Sequence, residues 1–334
     1  MRYEVEDWDR ALEALRRADA ITIACHVNPD GDALGSLLGA SLGLRKLGKA
    51  TYPTWGDAAL KVPAGYSFLP DLDSLVEVER LPQTATFLAL DCGAADRLGA
   101  LEETARRAET VINVDHHPGN DDFGTSNLVV TTASSTAELV TLLLGDLGVE
   151  LDRDIATCLY TGIVTDTGRF QYANSSPATL RMAADLLAYG VPAPEIAQEV
   201  FESSPYGYLK LVGRVLERAH LFEAERLVYS WVTLDDLAAS GVALNETEKL
   251  IDLVRSTRDA DVAVMFKQQA PGSYRVSMRS KGPSVGAIAR ARGGGGHELA
   301  AGFETDDVDA AVEAIREALA AGRAGARRQA SVEA

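Results

Sequence analysis

Aspartate and histidine side chains occur in four separate segments of this 334-residue chain, and these residue types can bind metal ions. In chain order, the segments supply His26, Asp30 and Asp32, then Asp91, then Asp115, His116 and His117, and finally Asp166. Carboxylates and imidazoles without paired thiolates suit Mn²⁺, Mg²⁺ or Fe²⁺ better than a structural zinc ion. Several aspartates in one cleft repel each other unless cations or shifted pKa values relieve them. Two divalent ions about 3.5–4 Å apart that share a carboxylate are an arrangement used for phosphoester hydrolysis.

Each motif also has an ordinary structural explanation. A lone aspartate after a strand is usually a helix N-cap or a turn former, so Asp91 or Asp166 alone would be given that role. The Asp30-Gly31-Asp32 sequence alone is typical of a turn, and the two adjacent histidines alone could lack a function. Taken together the motifs favour a metal site, because four of the chain's five histidines belong to them or to the glycine-rich segment ending at His297.

The elements that carry these motifs alternate between strands and helices. Strands are predicted over 21–25, 51–54, 84–90 and 111–114, and helices over 8–18, 33–47, 101–108, 134–147, 155–165, 177–188 and 193–203. This alternation predicts a parallel sheet with helices on both faces. Three of the motifs directly follow strands, and open parallel sheets bind ligands beyond the carboxyl ends of their strands. We therefore expect the motifs to meet at one edge. Cys25 and Cys92 adjoin them in apolar strand ends, where packing is the expected role.

The second half of the chain predicts a smaller α/β domain with a mixed sheet. Its predicted strands are 227–233, 261–266 and 274–278, and its predicted helices are 246–257, 284–292 and 308–320. We expect a catalytic domain over 1–204, a linker helix over 205–220, the second domain over 221–322 and a disordered tail over 323–334.

The bulk composition excludes several classes of protein. A hydrophobic content of 46% with 24% charged residues indicates a globular protein, and no run of about 18 apolar residues indicates a membrane span. The charged start lacks the apolar core of a signal peptide, and the three cysteines form no Cys-x-x-Cys pair, so we expect a cytoplasmic protein. The net charge of −17 argues against binding of a long nucleic acid duplex.

The ordered motifs resemble those of the DHH phosphoesterase superfamily. They read His26-Val27-Asn28-Pro29-Asp30-Gly31-Asp32-Ala33, Leu90-Asp91-Cys92-Gly93, Val114-Asp115-His116-His117 and Thr165-Asp166-Thr167-Gly168. Downstream, Gly293-Gly294-Gly295-Gly296-His297 with Ala300-Ala301-Gly302-Phe303 resembles the glycine-rich motif of the DHHA1 domain. Within the superfamily the chain looks most like the NrnA type, a group of nanoRNases and phosphoadenosine-phosphate phosphatases, whose relatives degrade cyclic di-AMP and its linear product pApA.

The resemblance implies a role for each residue of the four motifs. It implies that one Mn²⁺ is held by His26, Asp30 and Asp91, and the other by Asp32, Asp91, His116 and Asp166. It also implies that His117 faces the scissile phosphate and that Asp115 supports it. The resemblance further implies two divalent cations as cofactors, with Mn²⁺ preferred over Mg²⁺ and Fe²⁺. It also implies that the protein is a homodimer.

The glycine-rich segment and a nearby arginine are the candidate substrate-binding residues. Backbone N–H groups of Gly294, Gly295 and Gly296 can approach an anion closely, although a flexible surface loop is the alternative for glycines alone. His297 and the pair Arg279-Ser280 favour a phosphate clamp, because an arginine can grip a phosphate bidentately or stack on a base. With an aromatic content of only 6%, the chain shows no groove for long single strands.

We therefore predict a phosphodiesterase that uses a metal-activated water on short nucleotide substrates. The predicted substrates are nanoRNA and pApA, with cyclic di-AMP and the 3′-phosphate of phosphoadenosine phosphate as further candidates. Two alternatives remain at this point: an inorganic pyrophosphatase with the same metal site, and an inactive nucleotide-binding module.

Overall fold

The computed structural model describes residues 3–330 of the chain, with side chains as far as residue 322. The chain divides into two compact units between Ser203 and Ser204. The tail predicted to be disordered, residues 323–334, lies outside the part of the chain whose side chains are described.

Within residues 3–203, the first unit is built on a parallel sheet with the strand order β2-β1-β3-β4-β5. Its strands are β1 (Ala20–Cys25), β2 (Ala50–Trp55), β3 (Thr86–Leu90), β4 (Thr110–Asp115) and β5 (Ser126–Val129). Its helices are α1 (Trp8–Arg17), α2 (Gly31–Lys46), α3 (Glu102–Arg107), α4 (Thr136–Asp146), α5 (Arg153–Asp166), α6 (Pro177–Leu187) and α7 (Ala193–Ala197). The parallel sheet is therefore confirmed. Sequence reasoning missed β5, because this edge strand has only four residues and only two of them are buried.

Apolar side chains cover both faces of this sheet, as expected for a parallel sheet. On one face Ile21 and Ile23 of β1 pack in a core with residues of α1, α2, α4 and α5. On the other face Ala24 and Phe87 pack in a smaller core with residues of α3 and the segment before it. The three cysteines are buried and form no disulfide, which confirms the packing role expected for Cys25 and Cys92.

Helices α2 and α5 cross at two glycines, and the close contact depends on the absence of side chains there. A Cβ atom on Gly35 of α2 would overlap the Cys158 carbonyl oxygen and lie 2.9 Å from the Gly162 nitrogen. A Cβ atom on Gly162 of α5 would lie 2.5 Å from the Ala137 Cβ atom and 2.9 Å from Asp32 Oδ1. The backbones of these helices therefore approach more closely than would be possible with a residue other than glycine at either position.

The Gly35→Ala variant is expected to lose about 1–3 kcal/mol of unfolding free energy, because the obstructing atoms belong to backbone and cannot rotate away. Gly145→Ala on α4 is the matched control, since nothing lies within 4 Å of its would-be Cβ atom. That control should be neutral or gain about 0.5–1 kcal/mol from better helix propensity. Urea unfolding followed by circular dichroism measures both variants. Equal midpoints for Gly35→Ala and the wild type would show that the contact tolerates a methyl group.

Within residues 204–330, the second unit contains a mixed sheet with the strand order β10-β11-β9-β8-β7-β6. Its strands are β6 (His220–Phe222), β7 (Leu227–Val232), β8 (Val262–Ala270), β9 (Ser273–Ser280), β10 (Gly295–His297) and β11 (Ala300–Thr305). Its helices are α8 (Tyr206–Glu217), α9 (Leu234–Ser240), α10 (Leu250–Arg255), α11 (Gly286–Arg290) and α12 (Val308–Ala330). The pairing of β7 with β8 is parallel and the others are antiparallel, so the predicted mixed sheet is confirmed.

Several details of the second unit differ from the sequence prediction, and one is the strand β11, which was not predicted. The helix predicted over 205–220 ends at Glu217, and His220 begins the short strand β6 instead. Helix α9 is absent from the sequence prediction, although Thr233 and Asp236 form a capping box at its start. The last two glycines of the glycine-rich segment lie in β10, because they pair with β11 rather than forming an open loop. None of the helices in residues 3–330 is both long enough and apolar enough to cross a membrane.

Candidate metal centre

Asp91 lies directly after β3 and, besides a group with Asp115 and His117, belongs to two groups of side chains that could each hold a metal ion. The first group is His26, Asp30 and Asp91, and the second is Asp32, Asp91 and His116. Within each group the potential ligand atoms lie within 4.8 Å of one another. The sheet topology accounts for this convergence, because β1, β3 and β4 are parallel neighbours whose carboxyl ends share one edge.

The distances within the two groups are those of ligands around a shared ion. His26 Nε2 lies 3.5 Å from Asp91 Oδ2 and 3.9 Å from Asp30 Oδ1. His116 Nε2 lies 3.8 Å from Asp32 Oδ2, 3.6 Å from Asp91 Oδ1 and 3.6 Å from Asp166 Oδ2. These separations exceed hydrogen-bond lengths, whereas two ligands that each lie about 2.0–2.2 Å from one ion are separated by ~3–4 Å. Asp166, from the end of α5, therefore joins the second group.

The ring of His26 is oriented for binding through one nitrogen. Its Nδ1 atom lies 2.9 Å from the carbonyl oxygen of Val27, which leaves Nε2 directed at Asp91 and Asp30. A backbone carbonyl on the remote nitrogen is the usual way of fixing the tautomer of a metal-binding histidine. Burial opposes protonation of this ring, but Asp91 and Asp30 outweigh it and raise the pKa of His26 to about 9.

Asp91 and Asp32 are buried carboxylates in opposite electrostatic situations. Burial raises the pKa of Asp91, but the adjacent His26 side chain and the charges of His117 and His116 together hold it below its usual range. Burial, with Asp91 and Asp166 nearby, raises the pKa of Asp32 well above its usual range. Such crowding of carboxylates is relieved by cations. Asp91 also has a φ of 60°, a left-handed conformation that is uncommon outside glycine and that concentrates at functional sites.

Asp30 combines the two roles that its sequence allowed. Its Oδ1 atom accepts hydrogen bonds from the backbone N–H groups of Asp32 at 3.1 Å and Ala33 at 3.0 Å, so it caps α2. The same oxygen faces His26 Nε2, and the side chain is 59% exposed. The turn interpretation and the metal interpretation of Asp30-Gly31-Asp32 are therefore compatible.

His117 directs its Nδ1 atom at Asp115, and the same atom lies 3.6 Å from Asp91 Oδ1. His117 Nδ1 lies 2.8 Å from Asp115 Oδ1, and Asn120 Nδ2 donates to Asp115 Oδ2 at 2.6 Å. Burial opposes protonation, but the bond to Asp115 and the charge of Asp91 raise the pKa of His117 to about 10. Asp115 is fully buried, whereas the His117 side chain is 37% exposed, so the pair presents a cationic ring at the surface of the site.

Sequence reasoning missed the polar residues that support the ligands. Asn120 holds Asp115, and Asn174 Nδ2 donates to the Asp166 carbonyl oxygen at 3.2 Å. Ser36 Oγ donates to Asp32 Oδ1 at 3.2 Å. Asn120 follows Pro118-Gly119 directly, and this turn after the Asp-His-His motif is the signal that could have pointed to it.

The donor set suits hard or borderline divalent cations. Both groups combine carboxylate oxygens with one imidazole nitrogen, and no cysteine belongs to a metal-capable group among the described residues. This chemistry is appropriate for Mn²⁺, Mg²⁺ or Fe²⁺. The shared carboxylate, with one oxygen facing each histidine, fits a pair of ions bridged by Asp91.

Most of the predicted substrate-binding residues of the second unit lie on β10 and β9, which are separated by β11. His297 of β10 pairs with Ala300 of β11, which pairs with Arg279 of β9, so both side chains belong to one row across the sheet. Ser280 is buried, and its Oγ atom accepts a hydrogen bond from the Gly282 N–H group at 3.0 Å.

Two of the predicted glycines have a packing role of their own. A Cβ atom on Gly294 would overlap the Gly302 carbonyl oxygen, and one on Gly296 would lie 2.6 Å from the Ala300 carbonyl oxygen. Gly295, between them, has nothing within 4 Å of its would-be Cβ atom. Close approach of β10 to β11 therefore explains Gly294 and Gly296, whereas the space around Gly295 imposes no such requirement.

Comparison with known proteins gives matches along nearly the whole chain. Residues 20–163 match the model of the DHH family, N-terminal domain, and residues 225–321 match the model of the DHHA1 domain. A Thermus thermophilus protein named bifunctional oligoribonuclease and PAP phosphatase NrnA is 37% identical over 320 residues, covering 93% of this chain and 94% of that protein. The Bacillus subtilis protein of the same name is 30% identical over 298 residues, covering 87% and 92%. The crystal structure of an exopolyphosphatase-related protein from Bacteroides fragilis matches with a TM-score of 0.86 and 25% identity, covering 96% of this chain and 97% of that one.

Proposed function

Since the chain belongs to the DHH family, with a DHHA1 domain after the DHH domain, we propose that it hydrolyses phosphoester bonds in short nucleotide substrates with the help of two divalent cations. The substrates proposed are short oligoribonucleotides and dinucleotides such as pApA, together with the 3′-phosphate of phosphoadenosine phosphate. The names of the Thermus thermophilus and Bacillus subtilis relatives support this choice, because they describe an oligoribonuclease and PAP phosphatase.

The proposal rests mainly on the observation that the His26 group and the His116 group share Asp91. His26 and Asp30 would hold one cation with Asp91, and the second would be held by Asp91 with the set Asp32, His116 and Asp166. The chemistry supplied by such a pair, when bound, is activation of a water nucleophile and neutralisation of phosphate charge. We propose Mn²⁺ as the physiological cation, because the donor set mixes oxygen with imidazole nitrogen.

His117, held by Asp115, would act directly on the substrate phosphate. Asp115 holds Nδ1 and favours the protonated ring, so His117 can donate from Nε2 to a phosphate oxygen or to the leaving oxygen. Its partial exposure supports a role toward a substrate rather than toward the core. Asn120 keeps the Asp115 carboxylate in the orientation that this donation requires.

The second unit would choose the substrate. We propose that Arg279 and His297, in one row of the mixed sheet, bind a phosphate or the base of the nucleotide. The N–H groups of Gly294 and Ser280 already donate to the carbonyl oxygens of Ala289 at 2.9 Å and Leu299 at 2.8 Å. Gly295, with nothing within 4 Å of its would-be Cβ atom, would instead let the same group approach the backbone closely. Aromatic residues make up only 6% of the chain, which argues against binding of long single strands, because proteins that bind them stack the bases on aromatic side chains.

A side-by-side assay tests the proposed function. Purified protein is incubated with Mn²⁺, Mg²⁺ or Fe²⁺ and offered a short oligoribonucleotide, pApA, phosphoadenosine phosphate, cyclic di-AMP and inorganic pyrophosphate, with products separated by chromatography. We expect mononucleotide products from the oligoribonucleotide and pApA, release of phosphate from phosphoadenosine phosphate, and no hydrolysis after chelation of the metal.

Two results of this assay would contradict the proposal. Turnover of pyrophosphate far above turnover of every nucleotide would make the protein a pyrophosphatase. Binding of nucleotides without hydrolysis, with every metal, would make it a nucleotide-binding module. A ranking among the nucleotide substrates would refine the proposal without changing the class of reaction.

A further inference from the structure

The N-terminus of α4 lies against two of the ligands of the second metal group. The backbone N–H of Thr136 donates to Asp32 Oδ2 at 2.7 Å, and the backbone N–H of Ala137 donates to Asp32 Oδ1 at 2.9 Å. The hydroxyl of Thr136 donates to Asp91 Oδ1 at 2.9 Å. Thr136 is fully buried, so these three bonds are made in a dry environment where each is strong.

The two oxygens of the Asp91 carboxylate face different metal groups, with Oδ1 also 3.6 Å from His117 Nδ1, and the Thr136 hydroxyl contacts only Oδ1. Oδ2 faces His26 at 3.5 Å, in the first group, whereas Oδ1 faces His116 at 3.6 Å, in the second. The hydroxyl of Thr136 donates to Oδ1. The hydrogen bonds from α4 are therefore made to the second group, namely to both oxygens of Asp32 and to Oδ1 of Asp91.

The segment that begins α4 is itself held rigidly. Ser135 caps the helix, with its Oγ atom accepting from the Glu138 N–H group at 3.1 Å. The Glu138 carboxylate is buried and accepts hydrogen bonds from the hydroxyls of Ser134 at 2.6 Å and Thr179 at 3.1 Å.

The same segment is also tied to the third carboxylate of the second group. Asn174 Nδ2 donates to the Ser134 carbonyl oxygen at 2.8 Å and to the Asp166 carbonyl oxygen at 3.2 Å. Residues 134–137 are thus connected to Asp32, Asp91 and Asp166, all of the carboxylates around His116.

We propose that Thr136 is a positioning residue that assembles the second metal subsite, with the N-terminus of α4 as its frame. The proposal rests on the proposed function, because it assigns the His116 group to a cation. The N–H groups fix both oxygens of Asp32, and the hydroxyl fixes the plane of the Asp91 carboxylate so that Oδ1 faces His116. Groups that orient metal ligands in this way typically change metal affinity about 10–100-fold when removed.

Thr136→Val tests this assignment, because valine keeps the shape and the β-branch of threonine and removes the donor. Isothermal titration with Mn²⁺ should show two bound ions in the wild type. In the variant we expect one ion to bind about 10–100-fold more weakly and the other to be nearly unaffected. Electron paramagnetic resonance of bound Mn²⁺ should lose the signature of a spin-coupled pair at metal concentrations that fill the wild-type protein.

Two further variants distinguish the effect of the Thr136 hydroxyl on metal binding from a general effect on folding. Thr136→Ser keeps the donor and should restore binding of both ions. Thr141→Val, on the same helix, removes a hydroxyl that donates to the Ala137 carbonyl oxygen and should leave both ions bound. Thermal unfolding of each metal-free variant identifies any loss of fold, and Thr136→Ala replaces the valine variant if that protein does not fold.

Metal binding distinguishes failure of this proposal from failure of the proposed function, since it requires no substrate. Wild-type affinity for both ions in Thr136→Val would overturn the role of the hydroxyl. Equal weakening of both ions would overturn its selectivity for the second subsite, and no recovery in Thr136→Ser would also overturn the role of the hydroxyl. Two ions bound by the wild type without hydrolysis of any nucleotide would overturn the proposed substrate and leave this role of Thr136 standing.

Discussion

Asp91→Asn is expected to reduce kcat by on the order of 10³-fold or more, because metal ions supply several kcal/mol of transition-state stabilisation and about 1.4 kcal/mol corresponds to a factor of ten. Asp91 is the residue shared by both metal-capable groups, so its charge is lost from both at once. Asparagine has the same shape but is uncharged and has an NH₂ group in place of one oxygen, so it cannot offer one oxygen to each of two cations. The measurements are kcat on pApA and the number of Mn²⁺ ions retained, by elemental analysis.

Asparagine is also the replacement that disturbs the backbone least. Asp91 has a φ of 60°, and asparagine tolerates this left-handed conformation better than other non-glycine residues. Asp96→Asn, an exposed acid shortly after it in the chain, is the matched control and should behave as the wild type. Retention of both Mn²⁺ ions and of wild-type kcat in Asp91→Asn would refute the bridging role.

His117→Ala is expected to lower kcat by about 10²–10⁴-fold while the protein keeps both metal ions, because general acid catalysis contributes rate enhancements of this size. The adjacent His116→Ala should instead lose the second ion, since His116 Nε2 faces the three carboxylates around it. His220→Ala, which removes a histidine of β6 far from these motifs in the chain, is the control with nearly unchanged kcat.

The contrast between the two adjacent histidines is the informative result. His117 Nδ1 is directed at Asp115, and a role toward substrate predicts loss of rate without loss of metal. Asp91, Asp115 and His117 also lie close enough together to hold an ion. Loss of a bound ion in His117→Ala would therefore show that His117 is a ligand and that protonation of the substrate falls to another group. Elemental analysis and kcat measured on the same preparation distinguish these outcomes.

The convergence of the metal ligands was predictable because it follows from topology. Each of His26, Asp91 and Asp115 comes at the end of an apolar run, and parallel strands place such ends at one edge. The apolar runs themselves are long enough to recognise, apart from the short edge strand β5. Which two carboxylate oxygens face which histidine, however, depends on side-chain rotations and on a backbone φ that no local pattern specifies.

The supporting residues could not have been found in the same way. Thr136 and Asn174 hold metal ligands that are distant in the sequence, and both residue types are ordinary at helix starts and in turns. Ser135 caps α4, but nothing in the sequence tells which groups the N–H donors of Thr136 and Ala137 will meet. In the second unit the pairing of β10 with β11 was equally hidden, because glycines carry no apolar pattern.

The close glycine contact between α2 and α5 couples the position of the Asp32 carboxylate to the packing of the helical core. Gly162 is close enough that a methyl group there would press on both Ala137 of α4 and the Asp32 carboxylate. A small shift of these helices, harmless in most cores, would here displace a carboxylate that an ion requires within a few tenths of an ångström. Substitutions that loosen this packing should therefore reduce activity before they reduce the folded population. Heat should act in the same order, so that inactivation begins below the temperature at which the chain unfolds.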